Sequence, residues 1–256
     1  MKLPTPRWLA TSVRNKLLAM ALLPLLVVFP LLVLAIAVWS SVTYDRLLIT
    51  KVRSDLAVAR GHFDQTLAVV GSGTRGVARS QRLLRAMDGG DLAAQLSDDR
   101  QELGLDFLLL VRPGDAGNTL PAGMAPLLQS GAAVPAKSAQ IVRLSRDELA
   151  ALAPQLLPRL NIPLVATRNA APDARNVEDR ALVLLALQPV LNAAGQPQAL
   201  LVGGLLLNQN LDFIDHINRI VYPEGALPFG SEGTATLFLD DVRITTNVRL
   251  FQDQRA

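Results

Sequence analysis

The sequence predicts a mixed α and β chain, of the α+β (α/β) class, built behind one apolar N-terminal helix. Three observations predict it. Leu17 to Trp39 is 23 residues without a charge. From Ser41 to Met87 apolar residues recur at helical spacing. Two apolar runs, Arg180–Val190 and Gln198–Asn208, flank a turn-forming segment, Asn192 to Pro197, and so read as an antiparallel pair.

The uncharged run comes first. As a helix it is roughly 35 Å long at about 1.5 Å per residue, enough to cross a hydrocarbon core of about 30 Å. Inside lipid every backbone group must be satisfied within the segment, so helix is the expected state, and Pro24 and Pro30 are tolerated there. Lys2, Arg7, Arg14 and Lys16 precede the run, and the first acid is Asp45. Positive charge before a first span predicts a cytoplasmic N-terminus, with the body from Ser40 onward on the other side. Ala35-Ile36-Ala37 resembles a signal-peptide cleavage site, but an apolar core of about 7–15 residues is usual there and this run is longer. An uncleaved anchor is the expectation.

Charge and composition exclude several classes. The net charge is +3. Four of the 25 Lys and Arg precede residue 40 and all 22 acids follow it, leaving 21 cations against 22 acids in the body. The basicity is therefore a topology signal, and no nucleic-acid partner is expected. The absence of cysteine rules out a disulfide framework, a thiol nucleophile and a Cys-ligated metal.

Residues 1–16 read as a cytoplasmic basic tail and residues 17–39 as the span. Leu48, Val52, Leu56, Ala59, Phe63, Leu67 and Val70 then form one helical stripe. That stripe needs a partner, and both its own domain and the same helix of a second copy are expected to supply one, which predicts a homodimer. The literal G-x-G-x-x-G at residues 71–76 follows a helical pattern, where a dinucleotide fingerprint needs a strand, so it reads as close packing or a bend. Asp88-Gly89-Gly90 is expected to end the long helix. A short helix on Leu92, Leu96 and Leu103 follows, then a buried strand at Phe107–Val111.

Residues 112–180 hold eight of the sixteen prolines. Pro121–Gln129 reads as a short helix, Ala139–Leu144 as a strand, and Ser145 to Glu148 as a capping box opening a helix through about Leu157. Pro163–Thr167 is a short apolar piece, and Ala170–Asp179 a polar loop. Gly203-Gly204, mid-strand, predicts a bulge or a close approach on the sheet. Asn208 is expected to cap a helix on Leu211, Ile214, Ile217, Ile220 and Val221. Gly233–Leu239 and Val242–Val248 form a hairpin across Asp240-Asp241. Because a lone hairpin is marginal, the chain is expected to be cut inside a second sheet.

Four phrases carry a family resemblance: VRNKLLAMALLPLLVV at 13–28, SDLAVARGHF at 54–63, VGGLLLNQNLDFID at 202–215 and GTATLFLDDVRITTNV at 233–248. With the order of elements, they resemble the double Cache sensor region of bacterial transmembrane receptors, sensor histidine kinases above all. Chemoreceptors and diguanylate cyclases carry similar sensors. The resemblance implies a PAS-like Cache lobe with a central antiparallel sheet in residues 41–230, on a long stalk helix. It also implies the start of a truncated second lobe in residues 231–256. It implies an inner-membrane protein with a periplasmic sensor, a small-molecule ligand such as an organic acid or amino acid, and a cytoplasmic kinase output. No catalytic residue, cofactor or metal is expected within these residues.

The ligand candidates are polar groups at strand edges. Arg112, Thr167, Arg168 and Arg180 are placed to meet a carboxylate in the first lobe, since a guanidinium grips a carboxylate in bidentate fashion. Arg243, Thr245 and Asn247 alternate along one strand and are expected to share a face in the second. His62 and His216 are the only histidines. His216 with Asp212 offers too few ligands for a metal, so surface or capping roles are expected of both. Asp240-Asp241 reads as a turn. Two readings of another kind remain: a single-span anchored solute-binding protein without output, and an exported enzyme, which the lack of any nucleophile motif disfavours.

Overall fold

The computed structural model describes residues 13–112, 114, 120, 139–165, 175–227, 233–250 and 254–255. The expected helix at Pro121–Gln129, and Thr167 and Arg168, lie outside them. The chain divides into two compact units, Met1–Ala57 and Val58–Ala256.

One helix, α1, runs from Val13 to Ala78 and includes Pro24 and Pro30. In the first unit, Met20–Ser41 is the one helical stretch among the described residues long and apolar enough to cross a membrane. Its large side chains, among them Leu26, Phe29 and Trp39, face outward with no protein against them, as a lipid-facing segment requires. Further along the expected stripe, Val52 is 63% and Leu56 50% exposed.

In the second unit α1 ends earlier than Asp88. Ser80 breaks it, because its hydroxyl accepts the amide of Leu83 and so caps a new helix, α2 (Gln81–Met87). Asp91 caps α3 (Leu92–Glu102) in the same way, by accepting from Ala94.

β1 (Phe107–Val111) and β2 (Ala139–Leu144) follow, then α4 (Arg146–Leu152) behind the expected Ser145–Glu148 capping box. Pro154 stops α4 short of Leu157, and a 3-10 turn, Pro154–Leu160, takes over. β3 (Ile162–Pro163) pairs with β4 (Val177–Glu178). The two strong strands are β5 (Ala181–Leu191) and β6 (Pro197–Leu206). α5 (Leu211–Val221) comes next. β7 (Thr236–Leu239) and β8 (Val242–Thr246) form the last well-packed hairpin, and β9 (Arg249–Leu250) pairs with β10 (Gln254–Arg255). The helix cap before α5 is Asn210. Asn208 instead accepts the Leu182 amide and donates to the Arg180 carbonyl, tying β5 to the end of β6.

The main sheet has the order β1-β6-β5-β2 and is antiparallel throughout. β5 and β6 are apolar without interruption because both faces of the sheet are covered. One face presents Val183, Leu185, Leu200, Val202 and Phe107 to Leu149, Leu152, Leu156 and Leu160 of α4 and the 3-10 turn. The other presents Ala186, Val190, Ala199 and Leu201 to Val70, Ala78 and Leu83 of the long and following helices. Leu184 and Leu207 meet Phe213 and Ile217 of α5, with Phe63 and Leu67 of α1 packed around them.

Gly73 and the Gly203-Gly204 pair find a common reason in this packing, whereas a Cβ on Gly76 would meet nothing within 4 Å. A Cβ on Gly203 would lie 2.7 Å from Thr74 Oγ1, and one on Gly73 would lie 2.6 Å from Leu103 Cδ2. Helix and sheet approach closely here, and only a missing side chain permits it. Gly204 makes room for the ring of Phe107, its direct partner across β1 and β6.

The β7–β8 hairpin belongs to the same compact unit as the main sheet. The Gln209 amide donates to the Ile244 carbonyl, and Thr245 Oγ1 donates to the Leu207 carbonyl at 2.7 Å. The hairpin's turn places Asp240 at φ +56°, a left-handed backbone that Asp adopts more readily than most residues.

Candidate functional site

An open cavity of about 310 Å³ lies where α3 and α4 meet the edge strand β1. α3 contributes Ala93, Leu96, Ser97 and Arg100, which share one helical face by their spacing of three, one and three. β1 supplies Phe107, Leu108 and Leu109, and the far wall is Leu152 and Gln155. The walls are thus mainly apolar, and Arg100 is the charged residue among them. Its Nη1 reaches the Leu105 carbonyl at 3.4 Å, a long bond that leaves most of the guanidinium's donors for something else. Such a surface suits a small molecule with an anionic head for Arg100 and an apolar body for the leucines.

The residues expected at a ligand site are placed differently from one another. Arg180 is fully engaged within the protein. Its Nε and Nη2 donate to Glu178 at 2.7 Å each, and its Nη1 donates to Asp240 Oδ2 at 2.9 Å. Glu178 is buried and also receives Arg175 at 2.9 Å, while Arg143 joins at Asp240. Burial alone would push the Glu178 carboxyl up, but the hydrogen bonds and charge of Arg180, helped by Arg175, hold it below its ordinary value. The same bonds raise Arg180. This network fastens the hairpin turn to the start of β5.

Arg112 is exposed just beyond β1. Arg243 is exposed on β8, whereas Ile244, Thr245 and Thr246 are all buried. Alternation fails because the hairpin register shifts: Leu237 opposes Thr245 but Phe238 opposes Arg243, which leaves Ile244 as an extra residue. Thr245 accepts the Asn210 amide as well as donating to Leu207. Asn247 accepts from the Ala235 amide and donates to the Gly233 carbonyl. Thr245 thus ties the hairpin to the segment between β6 and α5, and Asn247 serves the hairpin's own backbone.

One cluster had no signal in the residue pattern. Asp106 accepts Arg159 Nη1 at 2.9 Å and the Leu206 amide at 2.7 Å. Arg159 also donates to the carbonyls of Leu206 and Asn208. The three segments are about 50 residues apart in sequence, so only the fold brings them together. His62 and His216 also meet, with ring centroids 4.7 Å apart. Among the described residues no three His, Cys, Asp or Glu side chains are grouped to hold a metal ion.

No family model and no curated protein matches the chain. Among solved structures it is similar to the crystal structure of the periplasmic domain of Vibrio cholerae LuxQ, at 13% identity and a TM-score of 0.48, over 79% of this chain and 81% of that one. The selenomethionine form of the same Vibrio cholerae domain gives 13% identity and a TM-score of 0.49, over 79% and 80%.

Proposed function

We propose that the chain is the membrane anchor and periplasmic sensing region of a bacterial sensor histidine kinase, with a Cache-type sensor that takes a small organic anion beside Arg100. The observation that carries this reading is α1 itself: one helix, Val13–Ala78, contains both the apolar stretch Met20–Ser41 and Thr74, which touches the sheet at Gly203. A ligand that binds one packing of that sheet better than another shifts the helix with it. The basic residues before the span support a cytoplasmic N-terminus. Ile49, Val52 and Leu56, exposed at a spacing of three and four, support pairing with the same stretch of a second copy.

The test uses the full chain in lipid nanodiscs and titrates short-chain carboxylates and amino acids by calorimetry. Binding that weakens at least about tenfold in Arg100→Ala, about 1.4 kcal/mol, supports the reading, provided the melting curve is kept. Gln155→Ala, on an exposed side chain, gives a milder second variant. Binding unaffected by both variants removes the cavity from the site. Alkaline phosphatase fused after Ala256 reports topology, and an inactive fusion overturns the periplasmic placement.

A further inference from the structure

The two histidines of this chain are 154 positions apart in sequence, yet their rings are in contact across two helices. His62 lies on α1 and His216 on α5. Their ring planes are tilted by 47°, and the pair sits beside an aromatic contact in which Phe63 meets Phe213 edge-on at 5.5 Å. Phe213 is also 6.0 Å from the His62 ring. This is the seam where α1 and α5 pack over Leu184 and Leu207.

We infer that His62 and His216 form a proton-operated latch between α1 and α5, closed while the rings are neutral and loosened when both are charged. The hydrogen bonds define the closed state. Arg219 Nη2 lies 3.4 Å from His216 Nδ1. A guanidinium only donates, so this bond exists only while Nδ1 keeps its lone pair. A proton there replaces the bond with two cations face to face. On α1, the Thr66 hydroxyl donates to the His62 carbonyl at 3.0 Å, so its oxygen can only accept from His62 Nε2, at a long 3.5 Å. His216 is thus held as a neutral imidazole, whereas the His62 bond needs only a proton on Nε2, which either charge state supplies.

The charged neighbours of the pair are of both signs. On α5, Asp212 and Arg219 stand one turn before and after His216, on its side of the helix, and oppose each other in sign. Asp215 is adjacent to His216 in sequence. On α1, Arg60 and Asp64 flank His62 at two positions, where helix geometry turns them to other sides. The apolar residues around the pair's seam also come from β5 (Leu182, Leu184), β6 (Leu205) and β7 (Leu237), with Ala235 just before it. Burial first, and the charge of His216 second, hold His62 below its ordinary value. A base with a lowered folded pKa leaves the fold intact above about pH 6.5. Its contribution is lost as pH falls from there through the folded value. The latch therefore opens on acidification, and it would do so on the side of the membrane that the body occupies.

Two measurements on the full chain in nanodiscs test this. With only two histidines, carbon-13 histidine labelling gives two ring signals. The His62 midpoint is expected to rise in His216→Gln, because the charge of His216 is then gone. Independent titrations, each unchanged when the other ring is replaced, overturn the latch. Because the chain has no cysteine, Ala68→Cys and Ile220→Cys, both at exposed positions, carry spin labels uniquely on α1 and α5. Their separation is expected to lengthen or broaden between pH 7.5 and pH 5.5, and to stay constant in His62→Gln/His216→Gln. A separation independent of pH in the otherwise unaltered chain, or one that responds equally in the double variant, overturns it too.

Discussion

The two faces of the main sheet are covered by different means. On one face, short local elements, α4 and the 3-10 turn, bring large leucines against Val183, Leu185, Leu200 and Val202. On the other, the long helix α1 lies close, and where Thr74 approaches the sheet its residues are small, Gly203 with its partner Ala186, although Val190 and Leu201 fill the same face further along. A short turn can move outward to fit a bulky side chain, because few bonds hold it. A long helix is stiff, so the sheet yields to it by losing side chains. The first face holds by filled volume, the second by close approach, and the two should fail differently.

The largest expected effect is on the filled face. Leu185 has no exposure, and Leu185→Ala should cost about 4 kcal/mol of unfolding free energy, since nothing nearby is free to collapse into the void. Denaturant midpoints at unchanged slope measure it. A loss smaller than that of Gly203→Ala would break the comparison.

The rim between the faces is electrostatic and should respond to pH. Glu178→Gln should cost about 2 kcal/mol near neutrality, because two arginines lose a buried charged acceptor. The Glu178 carboxyl titrates below its ordinary value when folded. Its stabilisation is therefore present above about pH 4.3 and lost as pH falls through the folded value. Melting curves of the two proteins should converge in acid and separate above it. A constant gap at all pH would show that shape, and not charge, is lost.

On the close-approach face Gly203→Ala should cost about 1.5 kcal/mol, because the new methyl meets Thr74 Oγ1 and the side chains of Leu105 and Leu108. Thr74→Ala in the same chain should restore part of that loss, and a double-mutant cycle with no coupling would remove Thr74 as the obstacle. The smallest effect belongs to Arg243→Ala. The side chain is exposed on β8, away from both faces, and stability should change by less than about 0.5 kcal/mol.

Much of this architecture was legible beforehand for local reasons. The uncharged run, the Ser145–Glu148 box and the β5–β6 pair each declare themselves within a dozen or two residues, because capping, periodicity and turn chemistry act over that range. The close approach at Gly203-Gly204 was legible too, although not what approaches. Where two local signals compete, reading fails by a residue or two. Asn208 and Asn210 can both cap α5, and only the gap between β5 and β6 assigns Asn208 to the sheet. Ser80 ends α1 before Asp88 because a serine cap is available about two turns earlier.

The candidate site was far less legible. Arg180 reads as a ligand candidate in the sequence; Glu178, two residues before it, takes two of its donors, and Asp240 joins only once the hairpin turn has folded back on β5. The alternation of Arg243, Thr245 and Asn247 was undone by one extra residue, Ile244, which no local pattern announces. Arg100 drew no notice on a short polar helix until β1 and α4 closed a cavity around it.

By itself the sequence determined the apolar helical stretch, the charge asymmetry around it, the strands of the sheet and most helix caps, since each depends on neighbours along the chain. Tertiary structure alone decided which helix covers which face, which arginines are engaged, and that His62 meets His216. Those outcomes depend on pairs separated by 50 to 150 positions, whose meeting is set by how whole faces pack and not by any residue's own preference.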